Sequence, residues 1–184
     1  MNLLDIILIG IGLSMDAVCV SISNGICMKQ SKLKHALSGA CAFGIFQGIM
    51  PIIGFLAGSL FLNILSKYSN IVVFLVFFIL GTKMVYDGFH SQSDEVHHAM
   101  TFRLLLVQAI ATSIDAMAVG VSFTVLNVNV YYASFVIAAI TFLLSFIAFL
   151  FGKKIGALFQ KNAGIFGGIL ILAIALKILF ELIL

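Results

Sequence analysis

Two aspartates stand inside long apolar stretches, and the residues around them repeat. Residues 14–23 and 113–122 both follow the pattern Ser-x-Asp-Ala-x-x-Val-x-x-Ser, with Asp16 in the first copy and Asp115 in the second. Two ionised carboxylates in a medium of low dielectric repel each other, so at least one should hold a proton when the site is empty. Because a divalent cation cancels both charges, the repeated pattern predicts a site that exchanges such a cation for protons. The alternative is a protonated carboxyl that only joins two helices by a hydrogen bond.

Neutral oxygen atoms near these aspartates are candidates for the remaining ligands. Carboxylate, carbonyl and hydroxyl oxygens suit Mn²⁺, Mg²⁺ or Ca²⁺, whereas Cys19, one turn from Asp16, would favour Zn²⁺ or Cd²⁺. Small and hydroxylated residues on one side of a membrane helix also let two helices pack closely, which is the competing explanation for the serines and threonines. The predicted metal ligands are Asp16, Asp115, Gln47, Ser113 and Thr112.

The composition shows which solvent surrounds these residues. Of the 184 residues, 62% are hydrophobic and only 9% are charged, and the mean hydropathy is +1.23. Soluble domains have about 25% charged residues, so lipid must surround most of this chain. The net charge of +3 comes from bases scattered between apolar runs, which is a topology signal and excludes a nucleic-acid-binding surface. A carboxylate inside such a run is costly and usually functional.

Six apolar runs are long enough to cross a bilayer, which takes about 20 residues in a helix. The chain is therefore predicted to be an all-α membrane protein with six transmembrane helices. The predicted spans are Leu3–Ile26, His35–Leu62, Asn70–Phe89, Phe102–Leu126, Tyr131–Phe151 and Ala163–Leu184, and residues 152–162 are predicted to be a connection between the last two.

The repeated aspartate pattern divides the six spans into two three-helix halves. The predicted units are residues 1–89, a cytoplasmic linker at 90–101, and residues 102–184. Because three is odd, the second half enters the membrane upside down, and transporters with such inverted-topology repeats bind their substrate near the midplane. Seven bases on the odd-numbered connections, against one on the second connection, predict that both termini lie outside the cytoplasm. These bases are Lys29, Lys32, Lys34, Arg103, Lys153, Lys154 and Lys161, against Lys67.

Two lysines inside spans are followed by an acid four residues later. They form the pairs Lys83/Asp87 and Lys177/Glu181, and we expect ion pairs near helix ends, with the lysine side chains reaching toward water. The group of His90, His97 and His98 is expected to be a solvated loop.

The sequence resembles the small bacterial manganese efflux pumps (MntP type) from end to end. The residues that carry the resemblance are 12–17, 43–47, 50–54, 80–84 and 109–120. The resemblance implies export of Mn²⁺ from the cytoplasm, with acids in the first and fourth helices required for activity, and these correspond to Asp16 and Asp115. Some members of the family have an acid where this chain has Gln47, so a third anionic ligand is not expected here.

The leading prediction is a secondary transporter of the bacterial inner membrane that exports Mn²⁺ by alternating access coupled to proton entry. Mn²⁺ would be its substrate and the lipid bilayer its surroundings, with no cofactor and no nucleic acid. The chain lacks the phosphate-binding Gly-x-x-x-x-Gly-Lys-Ser/Thr motif, so it is not expected to be an enzyme that hydrolyses ATP. The alternatives are export of Cd²⁺, Zn²⁺, a small organic cation or an amino acid, and a membrane subunit that transports nothing.

Overall fold

The computed structural model describes residues 2–27, 32–60, 69–90, 102–126 and 128–183. Within these ranges every regular element is an α-helix, which confirms the all-α prediction. The helices are α1 (Leu3–Cys27), α2 (Lys32–Ser59), α3 (Ser69–His90), α4 (Phe102–Thr112), α5 (Ile114–Val125) and α6 (Val130–Ile183).

The helices are long and apolar because a chain in lipid must satisfy every backbone hydrogen bond within itself. Large apolar side chains also cover the outside of the bundle; Phe135, for example, is 73% exposed. Such a surface suits lipid and would be unstable in water. Among the described residues, four segments have the length and hydropathy of membrane spans, and two apolar helical segments are shorter. They are Leu3–Ile26, Leu33–Ser59, Arg103–Val125 and Val130–Gly152, followed by Val73–Tyr86 and Ile165–Phe180.

The predicted fourth span, Phe102–Leu126, is not one continuous helix. It is interrupted at Ser113, whose backbone N–H donates to the Ile110 carbonyl three residues back, at 3.1 Å. The Ser113 hydroxyl donates to the Ala109 carbonyl at 2.8 Å, and serine bonds of this kind bend membrane helices. The span is therefore built from α4 and α5, which meet just before Asp115.

Residues 152–162, the predicted connection between the last two spans, are themselves helical, because helical backbone continues through all 54 residues of α6. A straight helix of that length would be about 80 Å long. However, Gly10 of α1 faces Ile137, whereas Gly12, only two residues later, faces Ile171. Since these isoleucines would be about 50 Å apart on a straight helix, α6 must reverse its direction between Gly152 and Ile165. We call Val130–Gly152 the first limb of α6 and Ile165–Phe180 its second limb.

The contacts between helices give the direction of each pass through the bundle. The first limb of α6 runs parallel to α1, because Gly10 faces Ile137 and Gly25 faces Phe149. It runs antiparallel to α2, which is itself parallel to α5. The second limb runs antiparallel to both α1 and α3, with Gly168 packed against Gly81 of α3. The described helices therefore pass through the bundle six times in alternating directions.

Candidate functional site

Asp115 lies in the first turn of α5, directly after the interruption at Ser113. Its side chain is only 12% exposed. The unpaired N–H groups at the start of a helix carry a partial positive charge, which favours a carboxylate at this position. The interruption thus places Asp115 deep in a span and at a helix end, where its charge costs less than in a continuous helix.

Lys83 of α3 is the partner of Asp115. Its Nζ lies 3.2 Å from Oδ1 and 3.4 Å from Oδ2, so the ammonium group contacts both carboxylate oxygens. The lysine side chain is 54% exposed although the aspartate is nearly buried. The spacing of the sequence predicts a partner for Lys83 on its own helix, so it does not predict the Lys83–Asp115 contact. The side chains of Asp87 and Glu181 lie outside the described residues, so the two predicted i, i+4 pairs stay predictions.

The hydroxyls of Thr112 and Ser113 both bond back to carbonyls of α4. Thr112 Oγ1 donates to the Gln108 carbonyl at 3.0 Å, and Ser113 Oγ donates to the Ala109 carbonyl. These bonds use the hydroxyl protons and leave the oxygen lone pairs able to accept or to bind a cation. The two residues therefore shape the interruption, and their oxygens remain chemically competent as ligands.

Asp16 lies on the half-buried side of α1, between two packed faces. One turn earlier, Gly12 faces Ile171 of the second limb of α6, and the Leu13 carbonyl accepts a bond from α2. At 100° per residue, Asp16 lies between these two directions and so faces the sector between α2 and the second limb.

Gln47 of α2 reaches the same turn of α1. Its Nε2 donates to the Leu13 carbonyl at 3.0 Å, and its side chain is completely buried. Its Oε1 accepts no hydrogen bond from the residues that the structure describes. An unpaired buried carbonyl oxygen is costly, and it fits the neutral oxygen ligand that the sequence predicts.

The depths of the two aspartates can be compared along α2. Leu13 meets Gln47, and Gly120 packs on Pro51, one turn further along α2. Because α1 is antiparallel to α2, Asp16, three residues after Leu13, lies about three residues before Gln47 along α2. Because α5 is parallel to α2, Asp115, five residues before Gly120, lies about five residues before Pro51. At about 1.5 Å per residue, this count puts the two backbones about 3 Å apart in depth, and a count from Gly54, which packs on Met117, puts them about 12 Å apart.

Other polar groups do not join this site. In the described part of the chain, no three His, Cys, Asp or Glu residues are grouped so that they could hold a metal ion. A second ion pair joins Lys177 of the second limb to Asp5 of α1 at 2.6 Å, three turns before Asp16. Of the three histidines expected in a solvated loop, His90 is the last residue of α3, and His97 and His98 lie outside the described residues.

The chain is similar to proteins of known annotation along nearly its whole length. A family model described as "Putative manganese efflux pump" (Mntp) matches residues 30–179. A protein named "Putative manganese efflux pump MntP" from Ruminiclostridium cellulolyticum is 43% identical over 183 residues, covering 98% of this chain and 97% of that protein. Its counterpart from Methanothermobacter thermautotrophicus is 39% identical over 181 residues, covering 98% and 97%. No solved structure matches the chain.

Proposed function

The chain belongs to the manganese efflux pump family, and from this membership we propose that it exports Mn²⁺ from the cytoplasm. The similar proteins are named as efflux pumps, so the chain is a transporter and not an enzyme. Membership of the family agrees with the resemblance seen in the sequence. Mn²⁺ is the cargo of this transporter and not a resident cofactor.

Asp16 and Asp115 are the charged ligands of Mn²⁺ in this proposal. The observation that carries it is that α1 and α5 both contact the middle of α2, at Gln47 and Pro51, with Asp115 only 12% exposed. The orphaned Oε1 of Gln47 is a third ligand, and the hydroxyl oxygens of Thr112 and Ser113 can complete the shell. Five oxygen atoms of this kind suit Mn²⁺ better than a soft metal ion.

Transport proceeds by alternating access between two inverted halves, residues 1–89 and 102–184, joined by a cytoplasmic linker at 90–101. The alternating directions of the six passes support this arrangement, as does the repeated aspartate pattern. Interrupted helices at the substrate site are typical of transporters with inverted repeats, and α4 and α5 form such a helix.

Proton entry drives the export of Mn²⁺. When the metal leaves, the negative charge of the two aspartates must be compensated before the empty transporter can return to the conformation that is open to the cytoplasm. Protonation of a carboxylate provides that compensation at low cost. The protein acts in the bacterial inner membrane with both termini outside the cytoplasm, as the lysine and arginine distribution favours.

Inside-out membrane vesicles test this function directly. Wild-type vesicles should take up Mn²⁺ and release protons from the lumen, which a trapped pH dye reports. Asp16→Asn and Asp115→Asn should each lower the uptake rate at least about tenfold, since a bond to a charged group contributes about 1.5–3 kcal/mol. Cells that produce either variant should also lose manganese tolerance while membrane levels of the protein stay normal.

Asp5→Asn is the matched control, because Asp5 is also a buried aspartate of α1 paired with a lysine but lies three turns from Asp16. This variant should keep most of the uptake. Normal uptake by both Asp16→Asn and Asp115→Asn would remove the aspartates from the mechanism. An absence of Mn²⁺ uptake by the wild type would refute the function itself.

A further inference from the structure

We propose that Lys83 is a tethered competitor of the transported cation. In the empty site its ammonium group neutralises Asp115, and the arriving Mn²⁺ displaces it from the carboxylate. The inference rests on the proposed function, because it needs Asp115 to be a metal ligand. It goes beyond that function by giving the protein an internal cation that opposes metal binding in one step and assists the return of the empty site in the next.

The contact geometry supports competition. Lys83 Nζ lies within 3.4 Å of both carboxylate oxygens of Asp115, so it uses the lone pairs that a metal ion would need. A dication at the same oxygens would also repel the ammonium charge. The carboxylate can therefore serve Lys83 or Mn²⁺ but cannot serve both in this geometry.

The exposure of the two partners supports displacement without rearrangement of helices. Asp115 is fixed by the first turn of α5 and is 12% exposed, whereas the Lys83 side chain is 54% exposed. Lysine carries its charge on four flexible carbons, so the ammonium can leave the carboxylate by side-chain rotation alone. The surrounding bundle therefore restrains the Lys83 side chain less than it restrains Asp115.

A second lysine of the same kind provides an internal comparison. Lys177 pairs with Asp5 at 2.6 Å, and its side chain is 46% exposed, close to the value for Lys83. Asp5 lies three turns from Asp16, outside the predicted metal ligands. Each of the two lysines pairs with an aspartate, but only the removal of Lys83 unmasks a carboxylate of the proposed metal site.

The test is equilibrium Mn²⁺ binding to the purified full-length protein in lipid nanodiscs, followed by Mn²⁺ uptake into proteoliposomes. Lys83→Met should lower the apparent Kd for Mn²⁺ at least about tenfold, equivalent to about 1.4 kcal/mol. Its maximal uptake rate should fall about tenfold, because Asp115 then lacks its charge partner when the empty site returns. Lys83→Arg keeps a cation and should stay near the wild-type Kd, as should Lys177→Met.

A purely structural role for Lys83 makes the opposite prediction. If Lys83 only holds α3 against α5, Lys83→Met should bind Mn²⁺ as weakly as the wild type or more weakly, and this result would overturn the proposal. An equal gain in affinity in Lys177→Met would also overturn it, since the effect would then not depend on Asp115.

A measurement on the unmodified protein covers the case in which Lys83→Met does not fold. Reaction of lysines with a small amine-specific reagent, followed by mass spectrometry, should show faster labelling of Lys83 at saturating Mn²⁺ and unchanged labelling of Lys177. Unchanged labelling of Lys83 in a protein that binds Mn²⁺ refutes the competitor role alone. A wild-type protein that neither binds nor transports Mn²⁺ refutes the proposed function instead.

Discussion

Asp115 is a charged residue in the interior of the bundle. Its carboxylate is nearly buried, and a charge at that depth needs a proton or a cation as its partner. In the structure that cation is the ammonium group of Lys83. In the proposed transport cycle, a proton, Lys83 and Mn²⁺ are the three positive partners of this carboxylate.

Gln47 offers a sharper test of the neutral ligands than the hydroxyl groups do. Gln47→Leu keeps the size of the side chain but removes Oε1 and the bond to the Leu13 carbonyl. A neutral ligand or hydrogen bond contributes about 0.5–1.5 kcal/mol, so the Kd for Mn²⁺ should rise about three- to tenfold. Equilibrium binding of Mn²⁺ to the purified variant measures this change.

Thr124→Val is the control for Gln47→Leu. Thr124 Oγ1 donates to the Phe55 carbonyl of α2 at 3.3 Å, so this variant also deletes a buried bond between two helices. It lies more than two turns beyond Asp115 and should not change the Kd. If both variants weaken binding equally, Gln47 acts through packing and its oxygen does not bind the metal.

Asp16 and Asp115 stay predicted ligands, whereas the partner of Asp115 could not be predicted from the sequence. The two aspartates stand out because a ten-residue pattern with five matching positions repeats around them. The Lys83–Asp115 contact joins residues 32 positions apart. From spacing alone, a lysine on a helix is expected to pair with an acid three or four residues away. Only the way in which α3 packs against α5 brings these two side chains together.

At the scale of the elements, the sequence predicts the change of direction between the fifth and sixth spans, but it predicts neither the interruption at Ser113 nor the helical backbone of residues 152–162. Each feature depends on the local backbone conformation, which the amino-acid composition predicts poorly. Thr112 and Ser113 are compatible with a continuous helix until their hydroxyls bond to carbonyls of α4. Residues 152–162 are polar enough to suggest a loop, but lysine, alanine, leucine and glutamine are good helix formers. Helical backbone therefore persists where the direction changes.

The close contact of α5 with α2 positions Asp115, and it depends on Gly120. A side chain at Gly120 would collide with the backbone of Pro51, which cannot move aside independently of α2. Gly120→Ala should therefore cost about 1–3 kcal/mol and lower the apparent melting temperature by several degrees. It should also weaken Mn²⁺ binding, since Asp115 lies five residues earlier on the same helix.

Gly10→Ala is the matched control for this helix contact. Its new methyl group would meet only the end of the Ile140 side chain, which can rotate away. A thermal shift assay should therefore show a small change for Gly10→Ala and a large one for Gly120→Ala. Equal melting temperatures for the two variants would mean that α5 is not held in place by this contact.

At the scale of the whole molecule, the proposed inverted halves would account for two separate observations. The aspartate pattern occurs once in each half, and the passes alternate from α1 to the second limb of α6. The second limb also packs between α1 and α3, so the last pass of the chain completes the first half. The contacts of the second limb with α1 and α3 therefore form an interface between the proposed halves. One half can rock against the other at such an interface.

Export requires that the protein has a single orientation in the membrane. The positions of the basic residues favour the orientation with both termini outside the cytoplasm. Fusions test it: alkaline phosphatase joined after Leu184 should be active in intact cells, and green fluorescent protein at that position should be dark. Within residues 90–101 the two reporters should give the opposite result, because the linker is predicted to be cytoplasmic. Replacing Lys153, Lys154 and Lys161 with glutamine should weaken this preference, since these residues supply three of the seven bases on the odd-numbered connections. Fluorescence at the C-terminus with an active phosphatase in the linker would mean that the whole bundle is inverted, and the proposed direction of transport would have to be reversed with it.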